Sequence, residues 1–430
     1  MRHALGILAG VGAVCAAPTV ATAHTAPAPV VQAQTTERTE RIDASTTLTL
    51  DAALERAFAQ SPTLQGSQFG ARAAAARARQ AALRLNPELS VDVENFNGDG
   101  PFRDDLSLER TIGLTQTLEL GGDRSGRAAE ARGARDLANA ELRRTTAELR
   151  RDVTVAYARF AAAYETRAIA EDQAKLASEV LEVVRRRKEQ GLEADVQLER
   201  ARIADSEAAG LRAAATRDFA TARTQLGAFW GEAIAVEQPD IAWFRTLGEA
   251  SAAAPMDREA SPDIVAARAR VAQAQGALRR ERAGVIPDIT FMLGTRRFEE
   301  NDADALVFGA SVPIPLFNTN RHAVAGARAD FERARAEARA ADLALAVDIA
   351  RASADVENAR SRARLLSEET LPAAERLFAL SRRGYEAGAL PWLDFADARR
   401  VLTQSRTDLV AALVDLRTAR AELERLTQAA

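Results

Sequence analysis

The sequence contains a single cysteine and very few aromatic residues. Its 430 residues include one Cys, three His and only 5% Phe, Trp and Tyr. Cys15 falls in an apolar run that is followed at residues 21–23 by ATA, the small-x-small pattern at which a signal peptide is cut. We therefore expect residues 1–23 to be a signal peptide. The mature chain would then have no cysteine, which excludes a disulfide framework and a catalytic thiol.

The sequence also lacks an excess of charge of one sign. There are 57 basic and 61 acidic residues. This balance argues against a nucleic-acid partner. After the signal region no apolar run reaches the roughly 20 residues that a membrane-spanning helix needs. An exported chain of this kind is either soluble or a β-barrel, because the strands of a barrel are individually weak signals.

Sequence motifs that are typical of enzymes and metal sites are missing as well. No nucleophile is paired with a histidine by a known motif, and no phosphate-binding glycine loop occurs. Of the histidines, His3 and His24 lie in or beside the signal, which leaves His322 alone. One histidine without cysteine cannot build a tetrahedral zinc site within one chain. The sequence therefore predicts a protein that is not an enzyme, with no cofactor, no catalytic residue and no resident metal.

What the sequence does contain is an internal repeat. Ser61-Pro62 recurs as Ser261-Pro262, and Gly191 recurs as Gly388. We interpret residues 48–240 and 261–430 as two structural repeats, joined by an equatorial linker at 241–260. Residues 24–47 are rich in Ala, Pro and Thr, and we expect them to form a flexible segment.

Each repeat reads as a helix, a strand pair and a long helical hairpin. Thr49 is a plausible N-cap of the first helix. The predicted strand pairs span 88–118 and 288–314, and the predicted hairpins span 123–230 and 320–427. Residues 123–190 contain no proline, so a continuous helix there would be roughly 100 Å long.

The strands alternate between apolar and polar residues. Ile112 and Leu114 share one face with Arg110, and we assign Ile289, Phe291 and Leu293 to another face. Strands of about 10 residues have the length that a tilted bilayer-spanning strand needs. Four strands have two open edges, which are costly in hydrocarbon, and three copies would close them into a barrel of twelve strands. The predicted fold is therefore mainly α, with long antiparallel coiled-coil helices forming a tunnel and four strands per chain completing a trimeric β-barrel.

Several segments together resemble the TolC family of outer-membrane efflux ducts. These are LTLDAALERAFAQSP, NPELSVDVENF, TQTLELGGDR, its second-repeat partner VPIPLFNTNR, and the segments around Gly191 and Gly388. Within this family, NPELSVDVENFNG and LELGGDR are most similar to the branch that serves cobalt-zinc-cadmium type cation efflux. The resemblance covers nearly the whole mature chain and recurs in both repeats.

The resemblance implies a homotrimer in the outer membrane of a Gram-negative bacterium, extending into the periplasm. It implies contact with outer-membrane lipid, docking to a periplasmic membrane-fusion adaptor, and service to a proton-driven RND-type pump of the inner membrane. The predicted function is passive conduction of substrates, with divalent heavy-metal cations as the expected cargo. Drugs or a type I secreted polypeptide are alternative cargoes, and a periplasmic coiled-coil structural or adaptor protein is the alternative from another class.

Three groups of residues are the candidate functional positions. The resemblance implies that Tyr385, Asp394 and Asp397 narrow the periplasmic entrance, although the two acids could simply favour the start of the last helix. Leu390 stands where similar segments have an arginine, so an entrance salt bridge does not carry over. The expected adaptor-contacting tips, which could also be plain turns, are Gly191, Leu192, Gly388 and Ala389. The expected barrel-to-tunnel junctions are Gly121, Gly122, Pro315 and Asn318, because glycine and then asparagine best tolerate unusual backbone angles.

Overall fold

The computed structural model describes residues 47–96, 99–100, 108–232, 238–248 and 258–427, and within them the chain is mainly helical. The predicted signal peptide and nearly all of the predicted flexible segment lie outside the described residues. No helix in the described part of the chain is both long and apolar enough to cross a membrane.

The elements follow one another in the order that the repeat predicts. The first repeat contains β1 (Thr47–Leu48), α1 (Leu50–Gln60), α2 (Pro62–Ala81), β2 (Glu88–Glu94), β3 (Glu109–Leu118), α3 (Asp123–Glu189) and α4 (Asp195–Gly227). The short β4 (Gln238–Pro239) and α5 (Ile241–Arg245) follow, and then a 3-10 turn at Arg258–Ala260. The second repeat contains α6 (Pro262–Ala283), β5 (Ile289–Phe298), β6 (Ala303–Ser311), α7 (Arg321–Leu365), α8 (Leu371–Glu386) and α9 (Trp392–Thr427).

Helix α3 is a single helix of 67 residues, as its lack of proline predicts. Its first turn carries Asp123 and its last turn carries Arg186, Arg187 and Lys188, which complement the helix dipole at each end. Thr49 caps α1 as predicted, since its hydroxyl accepts a hydrogen bond from the Ala52 N–H at 3.2 Å.

Helices α3 and α6 approach each other almost backbone to backbone. A Cβ atom on Gly133 would lie 2.4 Å from the Cα of Gln273, and one on Gly276 would lie 2.6 Å from the Cα of Glu130. Contacts this short allow no side chain on either glycine. The two helices therefore pack through their main chains near the end of α3 that follows β3.

Helices α7 and α8 are joined by a wider, π-helical turn at Leu366–Thr370. Pro372 lies in the first turn of α8. Proline lacks the N–H that an α-helix uses, and its ring clashes with the carbonyl four residues earlier. The wide turn removes this conflict, so the α7–α8 arm continues past Pro372 without stopping.

The four long strands form one antiparallel sheet in the order β2-β3-β5-β6. Strands β3 and β5 pair along their full length, with Leu114 opposite Leu293, so the hairpins of the two repeats are adjacent. The outer strands β2 and β6 have no partner on their free edges among the described residues. The four expected strands are thus present in one continuous sheet.

The register gives the sheet one apolar and one mainly polar face, because directly paired residues share a face. The apolar face carries Leu89, Val91, Val93, Ile112, Leu114, Ile289, Phe291, Leu293, Leu306 and Phe308. These side chains are largely exposed, with Leu89 at 72% and Leu306 at 82%. The assignment of Ile112 and Leu114 to a different face from Ile289, Phe291 and Leu293 is therefore wrong. Alternation within a strand does not tell which faces neighbouring strands share.

A compact core fastens the segment between the repeats to the helices. The buried hydroxyl of Tyr157 donates to the Leu48 carbonyl at 2.5 Å and accepts from the Asp240 N–H at 2.8 Å, which holds β1 and β4 together. Phe244 of α5 is fully buried. The guanidinium of Arg417 donates to the carbonyls of Trp243 and Thr246, and burial lowers its pKa to about 10. Part of the predicted equatorial linker is therefore packed structure.

Candidate functional site

The first hairpin turns at residues 190–194, between α3 and α4. Gly191 has φ +73°, and both Gly191 and Leu192 are exposed, Leu192 at 62%. The carboxylate of Glu193 accepts a hydrogen bond from the Arg187 Nε at 3.3 Å. The predicted tip residues of this hairpin therefore form a solvent-facing turn that is fastened to the end of α3.

The second hairpin turns between α8 and α9. Gly388 has φ +74°, and the N–H groups of Ala389 and Leu390 both donate to the Gly384 carbonyl, at 2.8 and 3.1 Å. Gly388 and Ala389 are exposed. The Leu390 side chain lies against Gly384, where a Cβ atom would be only 2.6 Å from the Leu390 Cδ1. The contact between Leu390 and Gly384 thus helps to hold the turn closed.

Tyr385 is buried where the two hairpins meet. Its ring stacks on Phe395 at a centroid distance of 5.3 Å and contacts Trp392 edge-on at 5.7 Å. Its hydroxyl donates to the Glu193 Oε1 at 3.1 Å, so it links the second hairpin to the first tip. Burial, and after it the Glu193 carboxylate, raise the pKa of Tyr385 to about 12. Tyr385 therefore stays a neutral hydrogen-bond donor at any physiological pH.

Asp394 and Asp397 lie on the opposite side of α9 from this aromatic cluster. Both are exposed, whereas Trp392 and Phe395, which alternate with them, are buried. Asp397 pairs with Arg400 at 2.8 Å, and among the described residues Asp394 has no hydrogen-bond or ion-pair partner. The structure thus brings the two carboxylates together on one surface. It does not bring Tyr385 to that surface.

Sequence reasoning missed Arg187, Glu193, Trp392 and Phe395 as members of this site. The signal available for the last two was the three-residue spacing of Trp392 and Phe395, which places both on one side of a helix. No pattern connected Glu193 with Tyr385, because 192 residues separate them along the chain.

The two strand-to-helix junctions converge on the end of α6. Gly122 caps α3 with φ +86°, in the left-handed region that favours glycine. Gly121 lies against α6 so closely that a Cβ atom would be 2.4 Å from the Ala283 carbonyl oxygen. In the second repeat Asn320 donates from its side-chain amide to the Glu281 carbonyl at 2.7 Å. Arg280, and after it Asn320, lower the pKa of Glu281.

The second junction requires a correction. Asn318 was expected to adopt the unusual backbone angles, but the left-handed residue is Asn320, with φ +57°. The Asn318 side-chain oxygen accepts the Asn320 N–H at 3.0 Å and so supports this conformation. Pro315 is the middle residue of a tight three-residue turn, in which the Leu316 N–H donates to the Ile314 carbonyl at 2.9 Å.

Metal ligands do not cluster in the part of the chain that the structure describes, where no three His, Cys, Asp or Glu side chains could hold one ion. His322 is exposed, and its Nε2 accepts a hydrogen bond from the Arg321 Nε at 3.0 Å. The described residues therefore offer no ready-made site for a metal ion.

Known proteins resemble this chain along most of its length. The family model described as outer membrane efflux protein matches residues 53–232 and 256–428. The cobalt-zinc-cadmium resistance protein CzcC of Cupriavidus metallidurans is 30% identical over 86% of this chain and 88% of its own length. The nickel-cobalt-cadmium resistance protein NccC of Alcaligenes xylosoxydans is also 30% identical, over 67% of each chain.

Solved structures show the same fold at lower identity. The outer membrane protein VceC of Vibrio cholerae superposes with a TM-score of 0.75 at 20% identity, over 88% of this chain and 95% of its own. The MtrE outer membrane channel of Neisseria gonorrhoeae gives a TM-score of 0.70 at 20% identity, over 88% of each chain.

Proposed function

Because the chain belongs to the outer membrane efflux protein family, we propose that three copies join their sheets into a twelve-stranded barrel above a helical tunnel that conducts divalent heavy-metal cations. The protein is an outer-membrane channel of a tripartite efflux system that extends into the periplasm. It works as a trimer, and it is a transport protein rather than an enzyme.

The proposed barrel is supported above all by the sheet, which has one apolar face and two open edges. In hydrocarbon each unpaired backbone N–H or C=O costs several kcal/mol, so β2 and β6 need partners there. Pairing β6 of one copy with β2 of the next satisfies both edges and closes after three copies. The apolar face then meets lipid, and the polar face lines the lumen.

Two observations support cations as the cargo. Curated relatives that match most of this chain are named for resistance to cobalt, zinc, cadmium and nickel. In addition, Asp394 and Asp397 are exposed together near the second tip, and three copies would present six carboxylates. Asp397 is paired with Arg400, so the Asp394 carboxylates are the main charges that would attract cations and repel anions. We assign the entrance constriction to these two acids, with Tyr385 positioning the hairpin that carries them rather than lining the opening.

The turn residues suit contact with other proteins of the efflux system. Gly191, Leu192, Gly388 and Ala389 are exposed at the ends of the two hairpins. We propose that they dock onto a periplasmic membrane-fusion adaptor, which connects the duct to a proton-driven RND-type pump in the inner membrane. The left-handed glycines fix the shape of both turns, so the exposed residues beside them keep a constant arrangement.

Growth of a deletion strain tests the proposed cargo. Complementation with the wild-type gene is expected to restore growth on graded cobalt, zinc, cadmium and nickel, whereas Asp394→Asn/Asp397→Asn restores it only partly. Asp408→Asn/Asp415→Asn is the matched control, because it removes two acids from the same helix farther from the tip. Sensitivity to dyes, antibiotics or bile salts alone would show that the duct carries another cargo.

A carbonate wash and sizing of the solubilised protein test the assembly. Membrane-retained trimers are expected. Release into the wash as a monomer or dimer would contradict the barrel and favour a periplasmic structural protein.

A further inference from the structure

The polar face of the sheet carries one cation among several acids. Four carboxylates share this face, from Glu88, Asp92 and Glu94 of β2 and Glu109 of β3. Among the described strand residues, the basic side chain on the same face is Arg296 of β5, which is paired with Thr111 in the register. The face therefore carries a net negative charge that depends strongly on this one guanidinium.

Arg296 reaches across three strands. Its Nη1 donates to Glu109 at 2.8 Å, its Nη2 to Glu94 at 3.0 Å, and its Nε to the Thr111 hydroxyl at 2.9 Å. Thr111 is almost completely covered, at 1% exposure. Glu109 also accepts a hydrogen bond from the Asn95 amide at 3.5 Å. The guanidinium is thus fixed against the sheet in one orientation.

This cluster lies at the end of the sheet that points away from the helices. Glu94 is the last residue of β2 and Glu109 is the first residue of β3. Arg297, the next residue, lies on the apolar face and pairs with Asp302 and Asp304. Two adjacent arginines therefore occupy opposite faces at the same height of the sheet.

We infer that Arg296 sets the ion selectivity of the outer mouth of the duct, by neutralising part of an acidic ring that three copies of Glu94 and Glu109 form around the lumen. This inference rests on the proposed barrel with its polar face inward. A lumen lined by one sign of charge concentrates ions of the other sign. Partial neutralisation lets cations pass without being held at the exit, because a site that binds too well slows release.

Reversal potentials in planar bilayers test this inference on the purified trimer, in a potassium chloride gradient. Arg296→Gln is expected to raise the ratio of cation to anion permeability by about twofold or more, since the acids lose their counter-charge. Arg297→Gln is the matched control and is expected to leave the ratio unchanged. Arg296→Lys keeps the charge and is expected to restore the wild-type ratio, which separates a charge effect from loss of strand packing.

An unchanged reversal potential in conducting Arg296→Gln trimers would overturn the inference and leave the duct standing. A larger shift in reversal potential with Arg297→Gln than with Arg296→Gln would overturn it too, because the face that carries Arg297 would then line the lumen. The absence of ion conductance in both the wild-type trimer and the Asp394→Asn/Asp397→Asn trimer would overturn the proposed function itself.

The rate of thiol labelling is a second measurement, and it serves for variants whose trimers cannot be studied in bilayers. The mature chain is expected to have no cysteine, so Arg296→Cys and Arg297→Cys each introduce a single thiol, and whole cells are treated with membrane-impermeant thiol reagents of either charge. The thiol of Arg296→Cys is expected to react several times faster with the cationic reagent than with the anionic one, and the thiol of Arg297→Cys is expected to show little preference. Equal rates at position 296 would contradict the acidic ring.

Discussion

The two repeats share the order of helix, strand pair and helical hairpin, but their hairpins differ at both ends and in the middle. In the first repeat α3 runs unbroken for 67 residues, whereas the corresponding arm of the second repeat contains the wide turn at Leu366–Thr370. The second tip is built on the aromatic cluster around Tyr385, while the first tip supplies Glu193 as its partner. The first repeat thus provides a continuous frame, whereas the second repeat carries an interrupted arm and the aromatic tip.

Exchanging the residues at the position of the wide turn tests this division. Lys175 of α3 corresponds to Pro372 in the repeat alignment. Lys175→Pro is expected to destabilise the protein by about 3 kcal/mol or more, because proline in a helix interior removes a hydrogen bond and clashes with the preceding turn. Thermal unfolding of the purified protein measures the loss. Pro372→Lys is the reciprocal variant, and it is expected to unfold at or above the wild-type temperature. A Lys175→Pro protein as stable as the wild type would show that α3 is not a rigid frame.

Glycine-to-alanine variants in the two arms give the next largest contrast. Gly133→Ala is expected to cost about 1–3 kcal/mol, because the new methyl group would overlap the Gln273 main chain. Gly326→Ala in α7 has open space around its Cβ and is expected to be neutral or stabilising by up to about 1 kcal/mol. Melting temperatures of the two variants measure the difference. Equal losses in both would mean that α7 is as crowded as α3 in the assembled protein.

Alkaline pH is expected to weaken the second tip, because it ionises the buried Tyr385. The folded pKa of Tyr385 is about 12, above the ordinary value of 10. A raised pKa means that its stabilisation, about 2 kcal/mol, is complete below pH 10 and is lost as the pH rises toward 12. The measurement compares the pH dependence of unfolding in the wild type and in Tyr385→Phe. Tyr385→Phe is expected to lose less unfolding free energy than the wild type between pH 10 and 12. If the free energy of unfolding depended on pH in the same way in both proteins, Tyr385 would not be the group that titrates in this range.

The smallest expected effect concerns a feature of the first repeat alone. Tyr157 corresponds to Ala354 in the second repeat, and its hydroxyl fastens β1 to β4. Tyr157→Phe is expected to cost about 1 kcal/mol, since the Asp240 N–H keeps its bond to the Leu48 carbonyl. Tyr164→Phe is the control. A variant without measurable loss in chemical unfolding would show that packing alone holds this contact.

The sequence predicted the features that depend on local pattern. The proline-free range predicted the end of α3 to within one residue, and the internal repeat predicted all four strands. The shared face of Ile112 and Leu293 was not predictable in this way, because it depends on the register between strands far apart in the chain. The same holds for Glu193 with Tyr385, and for the left-handed angle at Asn320, where two asparagines stand in one short loop. The entrance, tip and junction roles remain predictions.

The crowded contact between α3 and α6 has a mechanical consequence. Helix α3 extends roughly 85 Å from the contact at Gly133 to its tip, so it has the geometry of a long lever that is held near one end. A rotation of about one degree at this contact would displace the tip by about 1.5 Å. Small adjustments beside the sheet are thereby magnified at the far end of the helix, where the exposed residues of the first hairpin turn lie.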